Sequence, residues 1–264
     1  MFYAIAHKKI DLSGFEVEHV VEDIESLNKR ALTGELEATA ISVHAYAYLA
    51  DRYAIMRSGA SIGENYGPIL VAKPSVGAWH AAPLRLKGRK VAVPGMMTTA
   101  FLALKLFEPN FEPVIVPFDQ ILEYVQSDKA DFGLVIHEGQ LTYGDYGLAK
   151  ALDLGEWWWR ETGLPLPLGV DVVRKNLGGA QMKSFAELFK KSIVYSLEHR
   201  DEALDYAMPF GRGLSREASD RFVGMYVNDY TRDLGPKGEA GIYELLNRGF
   251  ESGILPHRVT PEFV

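Results

Sequence analysis

Cysteine is absent from the 264 residues, which rules out disulfide staples, thiolate metal ligation and a cysteine nucleophile, and fits a reducing compartment. Long apolar runs are absent too: no stretch approaches the roughly 20 apolar residues that a membrane span needs. A basic excess is also missing. The 28 Lys and Arg stand against 35 Asp and Glu, for a formal net charge of −7. No basic run interleaved with aromatics could follow a phosphate backbone, so nucleic acid is not an expected partner. The seven histidines show no zinc-site spacing and no carboxylate cluster beside a pair of them, so no metal is expected. Residues Met1 to Lys9 place apolar side chains before basic ones and are too short for an export signal. A cytoplasmic location without membrane association is the expectation. Internal repeats and low-complexity tracts are missing as well.

What is present is a chain built to fold. Aromatic residues make up 11% and apolar residues 47%, enough to bury a sizeable core and incompatible with disorder. Periodicity gives a strand over 15–21 and then a helix over 23–33, stopped by Gly34. A short strand over 38–42 feeds a helix over 45–51, and 53–57 and 68–73 read as extended. After a loop rich in Pro and Gly, a second series begins. It holds strands over 90–93, 114–118 and 131–136 and helices over 98–107 and after a cap at Asp119; such alternation implies a parallel sheet. From Ser184, where Glu187 completes a capping-box pattern, the chain reads as helical, with further helix starts at Ser215 and Pro236.

The expected fold class is therefore α/β with two lobes and a cleft between them, the element order of the type II periplasmic-binding-protein superfamily. Residues 1–74 and 170–264 form a discontinuous large lobe and 88–160 a small one. Residues 75–87 and 161–169 are the crossings. Ligands of such sheets sit outside the carboxyl ends of the strands, which directs attention to three places.

The first is Asp131-Phe132-Gly133-Leu134-Val135-Ile136-His137-Glu138, an apolar strand ending in an ionisable pair. An imidazole titrating near pH 6.5 makes His137 a candidate general base, although a strand-end histidine that merely hydrogen-bonds its neighbours fits the pattern equally. The second is Val93-Pro94-Gly95-Met96-Met97-Thr98-Thr99-Ala100, a strand, a turn and a helix start whose free N–H groups and two hydroxyls suit an anion. Thr98 also reads as a plain N-cap. The third is Thr39-Ala40-Ile41-Ser42, which brings a hydroxyl to the equivalent edge of the other lobe. His44 is expected to pack locally, and Trp157 to Trp159 to be buried between lobes rather than to line a pocket.

Several longer strings carry a resemblance: Ile136-His137-Glu138-Gly139-Gln140-Leu141-Thr142-Tyr143, Gly163-Leu164-Pro165-Leu166-Pro167-Leu168-Gly169, Pro94-Gly95 with Thr98-Thr99-Ala100, and Tyr226-Val227-Asn228. In these, over essentially its whole length, the chain resembles the 1,4-dihydroxy-6-naphthoate synthase family of the futalosine route to menaquinone. The resemblance implies a carbon–carbon lyase that releases 1,4-dihydroxy-6-naphthoate and a three-carbon product from cyclic de-hypoxanthine futalosine, an aromatic carboxylate, with no cofactor. It puts the catalytic base on His137 and substrate contacts on Ala40, Ile41, Ser42, Thr99 and Ala100. Either Ser42 or the Thr98-Thr99 helix start would hold the substrate carboxylate. Two departures stand out. Relatives begin with a further strand and loop before the residues equivalent to Phe2-Tyr3, which leaves two readings of Met1: an internal methionine, or the true start of a shortened first lobe. Ala40 replaces a lysine common in relatives. Chorismate dehydratase on the same scaffold and a non-catalytic solute-binding protein are the alternatives.

Overall fold

The computed structural model describes residues 1–74, 84–210 and 215–264. After α1 (Tyr3–Ala6), helix α2 (Ile24–Thr33) starts where the Asp23 carboxylate accepts the N–H groups of Glu25 and Ser26 and stops at Gly34 with φ 73°, the left-handed cap that glycine adopts most cheaply. Then follow β1 (Ala38–Ser42), α3 (Val43–Tyr46), β2 (Tyr53–Ile55), β3 (Ser61–Gly63) and β4 (Ile69–Ala72). Next come β5 (Lys90–Val93), α4 (Thr99–Phe107), β6 (Glu112–Ile115), α5 (Ile121–Gln126), β7 (Phe132–Val135), α6 (Gly139–Thr142), β8 (Ala149–Asp153) and α7 (Leu154–Thr162). The nine-residue β9 (Leu166–Arg174) leads to α8 (Gly179–Glu198), α9 (Arg200–Ala207), α10 (Arg216–Tyr226), α11 (Asp229–Arg232) and α12 (Gly235–Glu251).

Two sheets result. In the first, β9 pairs antiparallel with β1, β2 and β3. In the second the order is β6-β5-β7-β4-β8, with β5 parallel to β6 and β7 and β4 antiparallel to its neighbours. The first sheet is covered on both faces, as alternating side chains of buried strands demand. Ile41, Ile55 and Val172 share a core with Ile242, Leu245 and Leu246 of α12. Ala54, Met56 and Val173 face Leu188, Phe189 and Ile193 of α8. Among the described residues no helix is long and apolar enough to cross a membrane.

Several local expectations fail for physical reasons. Residues 15–21 alternate, yet no strand accompanies them; Phe15 and Val17 instead pack against the α8 cluster while Val21 is exposed. Ile69–Ala72, assigned on sequence to the first lobe, pairs with β7 and β8, so the chain leaves the first sheet ahead of it. The expected crossing at 75–87 lies partly outside the described residues. Likewise Leu166–Gly169, read as part of the return crossing, is already laddered to β1 and β3. β8 stands where no strand was expected, and its pairing with β4 is what makes it one. Ser184 and Glu187 lie within α8, whose N-cap is Gly178. Asp119 belongs to a 3-10 turn before α5 and caps nothing.

Candidate functional site

The β5–β7 pairing, with Ala92 opposite Gly133, brings the carboxyl ends of both strands to one edge of the second sheet. From the β5 end grows α4. The Thr98 hydroxyl accepts the Phe101 N–H at 3.2 Å and donates to the Gly95 carbonyl at 2.9 Å, so it is the N-cap and its one proton is not left for an anionic ligand. Thr99 is equally committed: its hydroxyl donates to the Leu168 carbonyl at 2.5 Å and accepts the His44 N–H at 3.3 Å. Ala100 is buried. What α4 keeps open is backbone, since the first N–H groups of a helix have no intrahelical acceptor.

These contacts also show that the β1 end meets the α4 start. His44 places Nδ1 3.3 Å from the Thr98 carbonyl, which requires that nitrogen to carry the proton, and its ring lies parallel to Phe101 with centroids 6.5 Å apart. Burial pushes its pKa down to about 4, so it is a neutral packing residue, as expected from sequence.

Ser42 is held by Asn28, a fully buried residue of α2. The Asn28 amide donates to the Ser42 hydroxyl at 3.1 Å and its carbonyl accepts the Ser42 N–H at 2.9 Å. Among the described residues no acceptor takes the proton of the Ser42 hydroxyl itself, leaving it a donor to spare. Ile41 is wholly buried and has only backbone to offer. Ala40 stands opposite Asp171 in the ladder, on the same face of the sheet. The Asp171 carboxyl is buried so tightly against Gly59, where φ is +99°, that a Cβ there would lie 2.2 Å from Oδ2. Loss of hydration pushes the Asp171 carboxyl up to about 7.

His137 follows β7. Its Nδ1 accepts the Gly139 N–H at 2.9 Å, which assigns the proton to Nε2, and Nε2 lies 2.5 Å from the Phe118 carbonyl. The ring sits edge-on to Phe118 with centroids 5.2 Å apart, and the Glu138 carboxylate is 3.8 Å from Nδ1. With only 13% of its side chain exposed, the imidazole is largely shielded at the strand end. The hydrogen bonds of this turn run to its own lobe through Phe118 and, through Gln140, to Tyr226 of α10 at 2.9 Å. On the other side Ser42 is bonded to Asn28, and it is His44, two residues on, whose N–H and ring nitrogen reach Thr99 and Thr98.

Sequence reasoning missed Asn28 and Glu25, and it had Gln140 and Tyr226 only as members of the strings that carry the resemblance, with no role given to either. Asn28 carried a signal, a polar residue on the inward face of an amphipathic helix. Glu25 lies under Gly95, where a Cβ would come within 2.4 Å of its carboxylate; its Oε2 is buried without a hydrogen-bond partner among the described residues. Burial raises its pKa. No group of three or more His, Cys, Asp or Glu that could hold a metal occurs among the described residues.

Comparison with known proteins gives this geometry a context. Residues 1–251 match the family model described as menaquinone biosynthesis. The chain belongs to that family. A Thermus thermophilus member named 1,4-dihydroxy-6-naphtoate synthase is 40% identical over 264 residues, spanning all of this chain and 94% of the relative. A crystal structure of an Archaeoglobus fulgidus protein is 46% identical, covers 96% of this chain and 92% of its own, and superposes with a TM-score of 0.89. The periplasmic aliphatic sulphonate binding protein of Escherichia coli has the same fold at 12% identity, with a TM-score of 0.64 over all of this chain and 89% of its own. The menaquinone biosynthesis family member described here thus has a periplasmic-binding-protein-like architecture with two sheets.

Proposed function

We propose that the protein is a cytoplasmic 1,4-dihydroxy-6-naphthoate synthase, a lyase that cleaves cyclic de-hypoxanthine futalosine to 1,4-dihydroxy-6-naphthoate and a three-carbon product. The observation that carries this reading is 40% identity to a relative of that name across the entire chain. The geometry is compatible with it. His137 stands at the strand edge where α/β sheets bind ligands, in a neutral tautomer able to accept a proton. To do so, Nδ1 exchanges the Gly139 N–H for the substrate proton. Loss of that proton from a hydroxyl lets its oxygen form a new carbonyl on the departing three-carbon fragment as the carbon–carbon bond breaks in retro-aldol fashion. The bond's electrons pass to the ring ketone as an enolate, which takes the proton back from His137, and formation of the aromatic naphthalenediol supplies the driving force.

Of the two groups considered for the substrate carboxylate, Ser42 is favoured. The hydroxyls of Thr98 and Thr99 are already spent on the cap and on Leu168, whereas Ser42 has a proton to donate. The N–H groups of Thr99 and Ala100 complete the cradle, and Ala40 and Ile41 contribute backbone and shape. No cofactor enters this chemistry; orientation and exclusion of water are the protein's share.

Incubation of the purified protein with cyclic de-hypoxanthine futalosine and, separately, chorismate, with products followed by mass spectrometry, tests the assignment. Naphthoate from the first substrate alone is expected. Dehydration of chorismate would transfer the protein to the other reaction, and binding without turnover of either would make it a solute-binding protein.

A further inference from the structure

The Tyr226-Val227-Asn228 string has no role in the chemistry above, yet its first residue touches the His137 turn. Tyr226 ends α10, where its ring lies edge-on between Tyr66 and Phe222, at centroid distances of 6.0 and 5.2 Å. Its hydroxyl donates to Gln140 Oε1 at 2.9 Å. The other end of the Gln140 amide donates to the Val135 carbonyl at 3.3 Å, on the last residue of β7, and the Gln140 backbone N–H donates to the His137 carbonyl at 2.9 Å. The neighbouring Gly139 N–H is the one that fixes Nδ1. One buried residue therefore ties the strand end, through its side chain, to the turn, through its backbone, on either side of the imidazole.

The anchor is itself anchored. The Tyr66 hydroxyl donates to the Met225 carbonyl and accepts from the Asn228 amide at 3.1 Å, while that amide also donates to the Ile62 carbonyl at 2.9 Å, on β3 of the first sheet. Tyr226 is thus fixed from the first sheet and reaches a turn on the second. Burial raises its pKa well above the ordinary phenol value, which keeps the hydroxyl a donor.

We infer that Tyr226 is a positioning residue for His137: its hydroxyl locks the Gln140 amide, and that amide holds the turn that presents the imidazole, so that the contact couples the two lobes to the proton acceptor. The inference rests on the reading of His137 as the base. It explains why a partly buried phenol and a buried amide are spent on each other beside an otherwise short turn.

Tyr226→Phe removes the hydroxyl and keeps both ring contacts. The expected result in the full chain is a fall in kcat of about 10-fold with KM within about twofold, since misplacement of a reacting group acts on the chemical step. In a Gln140→Leu background the same change costs nothing further, as residues acting through one contact are not additive. Histidine-labelled protein supplies a readout independent of turnover: the His137 ring resonance, assigned from His137→Ala, shifts in Tyr226→Phe while those of His199 and His257 stay in place. Should Tyr226→Phe fail to fold, Gln140→Glu, which keeps the acceptor for Tyr226 and loses the donor to Val135, is expected to shift the same resonance. An unmoved His137 resonance overturns the inference, and so does a raised KM with kcat held. A wild-type protein that forms no naphthoate refutes the assigned reaction and leaves the resonance to decide this contact.

Discussion

Asn28 and Ser42 exchange two hydrogen bonds across the gap between α2 and β1, the amide donating to the hydroxyl at 3.1 Å and the carbonyl accepting the backbone N–H at 2.9 Å. The pair fixes the hydroxyl with its proton pointing away from Asn28. Ser42→Ala is expected to raise KM about 10-fold or more with kcat within about twofold, the scale of one hydrogen bond to a charged group. Steady-state kinetics check it. Asn28→Ala leaves the Ser42 N–H unsatisfied in the interior and is expected to cost about 1–3 kcal/mol of stability in urea unfolding.

Asp171 sets one pH dependence. Its carboxyl titrates near 7 in the folded protein against an ordinary value of 3.8, so between those values the native state holds a proton that the unfolded chain has lost. Stability from this group is full below about 4 and falls as pH rises toward 7. Asp171→Asn is expected to remove that decline and to leave the protein more stable at pH 8 than the wild type, as read by thermal melts across pH.

His44 acts with the opposite sign. Folding lowers its pKa from 6.5 to about 4, so as pH falls through 6.5 the unfolded chain takes up a proton that the native state refuses. Stability present above 6.5 is lost on the way to 4. His44→Gln, which can still donate to the Thr98 carbonyl, is expected to flatten that acid-side loss. In the wild type the two groups partly cancel between pH 4 and 6.5, and the single variants separate them.

Gly95 has a positional reason that a second substitution can reveal. A methyl group there would lie 2.4 Å from the Glu25 carboxylate and 2.8 Å from its Cγ, so Gly95→Ala is expected to push α2 off the loop before α4, lowering the melting temperature and raising KM. Because the colliding atoms are side chain, Glu25→Ala in the same protein is expected to restore both. Failure of the double variant to recover would place the collision elsewhere.

Much of this was legible in the sequence where local chemistry decides. Asp23 and Gly34 bound α2 as their side-chain preferences require, and the Val91–Ala100 run folds as strand, turn and capped helix. The α/β class followed from alternation of periods. What sequence could not show is pairing partners. Residues 15–21 alternate like a strand, but alternation makes no sheet without a neighbour, and Ile69–Ala72 reads alike whichever sheet it joins. Ser184 and Glu187 fit a capping pattern that tertiary packing of α8 overrides. At the site, residue identity pointed to Ser42, Thr98, Thr99 and His137. That two of the hydroxyls are consumed by Phe101 and Leu168, and that Gln140 and Tyr226 meet across 86 residues of chain, are long-range facts that no local pattern encodes.

The proposed reaction turns on His137 taking the substrate proton. Wild-type and His137→Ala proteins are given cyclic de-hypoxanthine futalosine at saturating concentration, and naphthoate formation is followed by mass spectrometry alongside circular dichroism and ligand binding. The predicted result is turnover lowered by about 100-fold or more, the scale of a lost general base, with fold and affinity retained. Turnover in His137→Ala equal to that of the wild type would contradict it.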